Sequence, residues 1–470
     1  MSPAEDGSGR LAELGYRQDL RRRLRLWEVV MLALADVSPT MAVLLLTAGV
    51  FVVGGTFAIG ANLLVAVAVM MIALCLGELG SMYPLAGGMY SLARFTLPGP
   101  LVWVTMFNFV LQGIIIPASL VLGIGLFLKD LVPDLPVATE VIALVALGAI
   151  TLLCCFRVEL GAYITAAMVI VEVTVLAIIT IAAIAHPVQS LDVLVNPMKL
   201  DNGVLVPVAL GAMLATIAPA FNVINGYDAT LGFSEELIGG GRRIGVAVVS
   251  AAFLASVLII IPLTASVIAA PNVTEFLSHP TPVIYSVNAS LGPVAKGVVD
   301  IGVSIALFNA ALSLMMYFAR AVYATGRDEM WPASIAGPLA TLNRFKAPGW
   351  AVIVLAIPAA ALVFLSQLNW LIIFAGTIIA ATYFCIAIAA VISRIQQADV
   401  PRPFRMPWWP IPPLVVIGII GVALVTQETQ YLIAEAILIA VALAFWVRHV
   451  VVPPSKKLRA TVDVAAPGSE

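Results

Sequence analysis

Long apolar stretches, separated by short polar, glycine- or proline-containing segments, recur along the whole chain. A membrane-spanning helix needs about 20 mainly apolar residues, and twelve stretches meet that requirement. Their predicted starts lie near residues 27, 57, 99, 136, 159, 206, 243, 288, 350, 368, 411 and 429. The pattern therefore predicts an all-α polytopic membrane protein with twelve transmembrane helices.

Two of these stretches are interrupted by residues that disfavour a helix. The first runs from Trp27 to about Val53 and contains Asp36-Val37-Ser38-Pro39-Thr40. The other runs from about Val206 to Leu237 and contains Asn222-Val223-Ile224-Asn225-Gly226-Tyr227-Asp228. Broken backbone in a bilayer is tolerated only when it is buried in protein or lines a wet cavity. Interruptions in corresponding helices of two halves are typical of a transporter's substrate site.

Composition and charge support the membrane assignment and give an orientation. The chain is 62% hydrophobic and 11% charged, with a mean hydropathy of +1.08, which excludes an ordinary soluble protein. With the N-terminus inside, all of the 24 basic residues except Lys129, Lys199 and Lys296 fall on the inner side. The positive-inside rule then predicts a plasma (inner) membrane protein with both termini cytoplasmic. We expect 1–26 to be a cytoplasmic tail with a basic interfacial segment and 453–470 to be disordered.

The chain offers little that would support enzymatic or metal chemistry. All four cysteines lie in apolar stretches and are interpreted as small buried hydrophobic residues. The three histidines lie at predicted span ends, and the sequence contains no convincing nucleophile–base pair or metal-ligand cluster. We therefore predict no enzyme activity, cofactor, metal site or nucleic-acid partner, and nothing indicates the charge ring or carbonyl filter of a channel.

Four motifs occur in order along the chain. They read ELGSMYPLAGGMY at 78–90, GYD at 226–228 with SEE at 234–236, RAVYATGRD at 320–328, and RPFRMP at 402–407. Together they resemble signatures of the amino acid–polyamine–organocation (APC) superfamily of secondary transporters. Ser38-Pro39-Thr40-Met41 replaces the small-residue run that many members carry in the first break, and this is more similar to the amino acid/choline branch. Glu329 replaces the usual glycine after the third motif.

The resemblance implies a fold that the periodicity alone does not reveal. It implies a LeuT-like five-plus-five inverted repeat followed by two extra helices. The first repeat would span 27–187, the second 188–395, and the two additional helices 396–452. Glu78 would then be structural or part of a cytoplasmic gate, while Glu435 would lie outside the core and is assigned no function.

The residues around the two breaks are the candidate substrate site. Half-helix N-termini suit a carboxylate and half-helix C-termini suit an ammonium group. Gly226 would allow close approach at the second break. The predicted substrate-binding residues are Asp36, Ser38, Pro39, Thr40, Met41, Phe221, Asn222, Asn225 and Gly226. Phe221 is either a gate over the substrate or ordinary core packing.

Intramembrane acids are costly and are commonly functional. Asp228 is the first choice for proton coupling, because relatives including arginine/agmatine exchangers have a proton-linked acid there; its alternative is a helix cap. Asp36 is interpreted as a partner for a substrate amine or a titrating group, or else as an anchor for free backbone N–H groups. Glu172 is a further coupling candidate, in a region where some relatives carry a lysine that replaces the coupling cation.

These observations favour a secondary active transporter that moves an amino acid or related amine by alternating access, with proton symport or exchange. Sodium is less favoured as the coupling ion, since Ser304 and Ser313 are isolated in the eighth span. The alternatives are a sensor or scaffold that binds a ligand without moving it, or a transporter of a polyamine, choline or GABA-type amine. The expected partners are the small-molecule substrate and the lipid bilayer, with the protein a monomer or homodimer.

Overall fold

The computed structural model describes residues 13–15, 22, 24–85, 87–132, 134–156, 159–345 and 347–451. The predicted disordered tail at 453–470 and most of the predicted basic tail at 1–26 lie outside the described residues. Helices dominate the described chain, as the apolar pattern predicts. The first half contains α1 (Leu26–Val37), α2 (Pro39–Met41), α3 (Thr47–Gly54), α4 (Ala58–Met82), α5 (Gly88–Thr96), α6 (Gly99–Leu131), α7 (Thr139–Cys154), α8 (Glu159–Ala185) and α9 (Asp192–Val195).

The rest of the chain is also mainly helical. It contains α10 (Leu210–Val223), α11 (Gly241–Ile268), α12 (Val273–Ser278), α13 (Pro282–Arg327), α14 (Ala333–Leu339), α15 (Gly349–Leu365), α16 (Leu368–Gln396), α17 (Ile411–Val425) and α18 (Thr429–Val451). In α13 the backbone of Gly292 is non-helical, with φ 76° and ψ 174°, so the residues before it form a separate short helix.

Seven stretches among the described residues are long and apolar enough to cross a membrane, and α7, α15 and α17 are shorter apolar helices. The longest stretch, Leu26–Met82, contains both the first and the second predicted spans. Every predicted span thus coincides with helical structure. These lengths do not fix the number of crossings, so the count of twelve stays a prediction.

The all-α prediction is wrong at one place, between α9 and α10. Strands β1 (Met198–Asp201) and β2 (Val204–Pro207) form an antiparallel hairpin, and the helix expected to start near residue 206 begins at Leu210. Asn202 and Gly203 link the strands with φ angles of 48° and 81°. A two-residue Asn-Gly loop with positive φ at both positions is typical of a tight hairpin turn. The apolar run that begins at Val204 therefore first forms strand β2 and then continues into α10 at Leu210.

The first break is narrower than expected. Helix α1 continues through Asp36 and Val37, and Ser38 alone leaves the helical conformation, with φ 40° and ψ 81°. Pro39 then occupies the first position of α2, where its missing N–H costs no helical hydrogen bond. A π-helical segment, Ala42–Leu46, continues α2 into α3.

The second break is wider and ends differently. Helix α10 ends at Val223, and Gly226 has φ 109°, a left-handed conformation that glycine adopts readily. The chain then forms a 3-10 helix, Tyr227–Phe233, so the regular helix expected to reach Leu237 is absent. Asn222 belongs to α10 and Asp228 to the 3-10 segment.

The central helices pack around these two breaks. Helix α6 packs against α13, α16 and α7, while α11 packs against α4 and α1, and α10 packs against α16 and α3. The start of α1 is also joined to the end of the second broken span. Leu24 N–H donates to the Glu236 carbonyl at 3.0 Å, and Ile238 N–H donates to the Leu24 carbonyl at 2.9 Å. The two broken spans are therefore held side by side.

Candidate functional site

The two breaks meet each other in the protein interior. A Cβ atom placed on Gly226 would lie 2.7 Å from the Val37 nitrogen and 3.0 Å from an Asp36 carboxylate oxygen. Both distances are too short for a side chain, so Gly226 permits this contact as the sequence predicts. The approach brings the backbone of the second break against the last turn of α1.

The side chain of Ser38, in the first break, contacts α8. Its hydroxyl donates a hydrogen bond of 2.6 Å to Glu172, and Asn309 of α13 approaches the other carboxylate oxygen at 3.4 Å. The Thr40 hydroxyl donates to the Glu172 backbone carbonyl at 3.0 Å. Glu172 is buried. It therefore belongs to the same buried polar cluster as Ser38 and Thr40. We call this cluster, together with Asp36 and Asp228, the polar centre.

Asp36 lies two residues before Ser38, in the last turn of α1. It is buried, and neither of its carboxylate oxygens receives a well-formed hydrogen bond from the described residues. Ser313 of α13 lies beside it. A buried carboxylate that lacks donors is costly, so this group is available to a cation or to a proton.

Asp228 is held by two tyrosines from different helices. Tyr317 of α13 donates to one carboxylate oxygen at 3.1 Å, and Tyr383 of α16 donates to the other at 3.3 Å. The Tyr383 hydroxyl also lies 2.9 Å from the side-chain oxygen of Asn225. All four side chains are buried. The contacts join the second break to the helices around it.

The other candidate residues have less direct roles. Asn222 donates to the Ile372 carbonyl at 3.0 Å and so cross-links α10 to α16. The Phe221 ring is fully buried, with its centroid 6.0 Å from that of Tyr383. Pro39 and Met41 are buried in α2. All the predicted site residues are thus buried, and the Asn222 side chain joins α10 to α16.

A dense ion-pair cluster lies at one end of the helices. Arg394 donates from two nitrogens to the two oxygens of Glu78, each at 2.6 Å, and Arg402 donates to the same carboxylate at 2.8 Å. Met406 N–H adds a fourth donor at 2.7 Å. Glu78 is completely buried. Bidentate pairing of this kind is among the strongest side-chain contacts, and here it binds α4 to α16 and to the loop after it.

Two further pairs join the signature motifs at the same end. Tyr90 and Arg94 of α5 both contact the Asp328 carboxylate, Tyr90 at 3.0 Å. Arg320 lies 3.3 Å from Glu236 and stacks over the Phe233 ring at 4.8 Å. We call this the Arg-rich end, defined by Arg94, Arg320, Arg394 and Arg402. The four motifs therefore contact one another in pairs, although they are far apart in the sequence.

A cavity of about 550 Å³ opens at the opposite end. Its lining comes from the end of α3, hairpin residue Lys199 and the first turns of α10, α16 and α18. Toward the centre, Gly376 of α16 lies so near α10 that an added Cβ would be 2.3 Å from the Ala218 carbonyl oxygen. Glycine at this position therefore permits the close contact between α10 and α16.

Several residues of the centre were not predicted from the sequence. Tyr317, Tyr383, Asn309 and Ser313 lie in apolar helices far along the chain from the breaks they contact. Polar side chains in such helices are the only available signal. That signal identifies buried polar positions, but not which of them meet.

Broken helices packed around buried acids, within a chain rich in apolar helices, define a multi-pass membrane protein of the transporter class. The chain matches the family model described as amino acid permease over residues 24–446, and it belongs to that family.

Individual relatives are similar to the chain over most of its length. It is 23% identical to the methylthioribose transporter of Bacillus subtilis, a match covering 86% of this chain and 87% of the relative. It is 22% identical, with the same coverage, to the branched-chain amino acid permease BcaP of Bacillus subtilis. An uncharacterized transporter of Mycobacterium tuberculosis is 25% identical, with 92% of each chain covered.

Proposed function

We propose that this permease carries an amino acid or related small amine across the plasma membrane by alternating access, coupled to protons or by exchange. The observation that supports this proposal most directly concerns Asp36. Its carboxylate is buried without well-formed hydrogen bonds and lies where the two broken helices touch. A substrate ammonium group would supply the missing charge and donors. Relatives named as transporters and permeases support transport rather than ligand sensing.

The main chain at the breaks supplies further ligands. The first N–H groups of α2 and the last carbonyls of α1 and α10 have no partner within their own helices. The carbonyls suit an ammonium group and the N–H groups suit a carboxylate. A zwitterion would then lie between Asp36 and the N-terminal turn of α2, with Phe221 packed against the site from α10.

Asp228 is our choice for the coupling group, with Glu172 and Asp36 as further protonatable groups. Each of the three acids is buried, and none forms an ion pair with a lysine or arginine among the described residues. Buried acids without a counter-charge favour proton exchange during a cycle. Sodium is the less favoured coupling ion.

The proposed orientation places the Arg-rich end and both termini in the cytoplasm, as the positive-inside rule predicts. The ion pairs of Glu78 would close that side, while the 550 Å³ cavity would open to the outside. We assign the first five spans and the next five to the two inverted repeats.

Purified protein in liposomes tests the proposal directly. Labelled amino acids and amines are offered with and without an inward proton gradient, and with unlabelled substrate inside for exchange. Saturable uptake of at least one compound, faster with the gradient or with internal substrate, is the expected result. Binding without any flux for every compound would contradict transport.

A further inference from the structure

Glu435 is a buried acid that the proposed function does not use. It lies in α18, outside the two broken spans, and it is only 7% exposed. An ionisable side chain inside an apolar helix is costly, and such residues commonly bind a proton, an ion or a substrate. Its surroundings therefore indicate what it does.

Three helices place polar side chains around this carboxyl group. The Asn108 amide of α6 and the Cys385 thiol of α16 lie beside it. Gln112 is one turn further along α6 on the same face as Asn108. It donates from its nitrogen to the Thr382 hydroxyl of α16 at 2.8 Å. Glu435 is thus part of an acid–amide cluster between α6, α16 and α18.

The hydrogen bonds fix the direction of both amides. The Thr382 hydroxyl donates to the Ile378 carbonyl at 2.8 Å, so it accepts the bond from Gln112. The Asn108 nitrogen donates to the Val104 carbonyl at 3.1 Å. A primary amide carries two N–H groups, so one N–H of Asn108 remains for the Glu435 carboxyl group beside it.

The cluster lacks a counter-charge for Glu435. The buried oxygens of Glu435 receive no well-formed hydrogen bond, and Glu435 forms no ion pair, among the described residues. The neighbouring groups contributed by α6 are uncharged. The Cys385 thiol on α16 is the titratable group facing Glu435, and a thiol supplies no positive charge. An ionised Glu435 would be a buried charge without a counter-charge, which is strongly unfavourable.

We infer that Glu435 is a second proton-binding site of this permease, separate from the two breaks. With a proton bound, the carboxyl group is neutral, and its carbonyl oxygen can accept the free N–H of Asn108. A proton needs no set of converging oxygens. A sodium ion would need several oxygens converging on one point, whereas Gln112 is directed toward Thr382.

Helix α16 connects this site to the second break. Thr382 receives the bond from Gln112, and the next residue, Tyr383, contacts Asp228 and Asn225. A change of protonation at Glu435 would alter the packing of α6 and α18 against the helix that holds Asp228. This site goes beyond the proposed function, since it does not depend on Asp228 being the coupling group.

Infrared spectroscopy of the purified protein in liposomes tests proton binding without a substrate. We expect a carbonyl stretching band of protonated carboxylic acids at neutral pH, and the loss of one component of that band in Glu435→Gln, found from the difference spectrum against the native protein. Glu428→Gln is the matched control, because Glu428 is exposed beside the start of the same helix. The control should keep that component. Asn108→Val should shift the same component, because the hydrogen-bond partner of the carboxyl group is removed, and this variant serves if Glu435→Gln does not fold.

Two results would overturn the inference. One is a carboxylic acid band that is the same in the native protein, Glu435→Gln and Asn108→Val at every pH. The other is a carboxylate signal of Glu435 that responds to sodium but not to pH, which would make sodium the occupant. Failure of transport leaves this readout unchanged, so the proposed function and the second proton site can fail separately.

Discussion

At the scale of single residues, the polar centre contains three buried carboxyl groups that have no ion-pair partner among the described residues. Asp36, Glu172 and Asp228 meet serine, tyrosine and asparagine side chains, and none has an ion-pair partner among the described residues. Hydroxyl and amide donors stabilise a carboxylate only partly. The three sites therefore retain affinity for a positive charge, which a substrate amine or a proton can supply.

Replacing Asp36 tests the substrate contact. Asp36→Asn keeps the shape and removes the charge that would pair with an ammonium group. A hydrogen bond to a charged group is worth about 1.5–3 kcal/mol, so we expect KM to rise about ten- to hundredfold. Uptake kinetics in liposomes measure KM for the variant and the native protein. Asp201→Asn, on the exposed hairpin, is the matched control, and an unchanged KM in Asp36→Asn would remove the assignment.

Replacing Asp228 tests proton coupling. In Asp228→Asn the amide cannot bind and release a proton, while its one oxygen can still accept a hydrogen bond from Tyr317 or Tyr383. We expect transport that no longer responds to a pH gradient, with exchange of substrate across the membrane retained. Uptake is measured at several outside pH values for the variant and the native protein. A variant with the native pH response would show that another group carries the proton.

At the scale of helices, the sequence predicts where the broken spans lie but not their conformation. Ser38-Pro39 and Gly226 carry recognisable helix-breaking chemistry. The 3-10 helix after Gly226 has no such signal, because the residues of Tyr227–Phe233 are also compatible with a regular helix. The hairpin at 198–207 does have a signal, Asn202-Gly203, but the apolar run that follows also fits a helix. Contacts such as Tyr317 with Asp228 depend on tertiary packing, which local patterns do not specify.

Gly226 tests the contact between the two breaks. Gly226→Ala introduces a side chain at φ 109°, and its Cβ would lie 2.7 Å from the Val37 nitrogen. The conformation alone costs about 1–2 kcal/mol, and the clash adds to it. We expect a lower midpoint of thermal unfolding in detergent and loss of uptake. Gly211→Ala is the control, because nothing lies within 4 Å of a Cβ there; equal effects in both variants would contradict the contact.

At the scale of the whole molecule, one helix connects the two ends. The first turns of α16 line the open cavity, its middle holds Asp228 through Tyr383, and its last turn carries Arg394. Ion pairs hold the helices together at the Arg-rich end, and the 550 Å³ cavity lies at the other end. The proposed alternating access requires each end to open in turn, so the Glu78 ion pairs must break during the proposed cycle.

The native cysteine Cys75 can report on that opening. It is buried one turn before Glu78 in α4, so we expect maleimide to reach it only when the Arg-rich end opens. Arg394→Lys keeps the positive charge but loses the bidentate contact. A loss of about 1–2 kcal/mol would raise the population of open molecules roughly 5- to 30-fold. Mass spectrometry of the labelled protein should show correspondingly faster modification of Cys75.

A control variant and a reference cysteine distinguish opening of the Arg-rich end from a general loss of stability. Arg344→Lys changes an exposed arginine that stacks on Phe345, and Cys75 in this variant should react at the native rate. Cys155 is half-buried and should react at one rate in the native protein and in Arg394→Lys, because it lies outside the Glu78 cluster. If Arg394→Lys leaves Cys75 protected while Cys155 becomes faster, the ion pairs stabilise the fold and do not form the gate. If only Cys75 becomes faster, the strength of the Glu78 cluster sets how often the Arg-rich end opens.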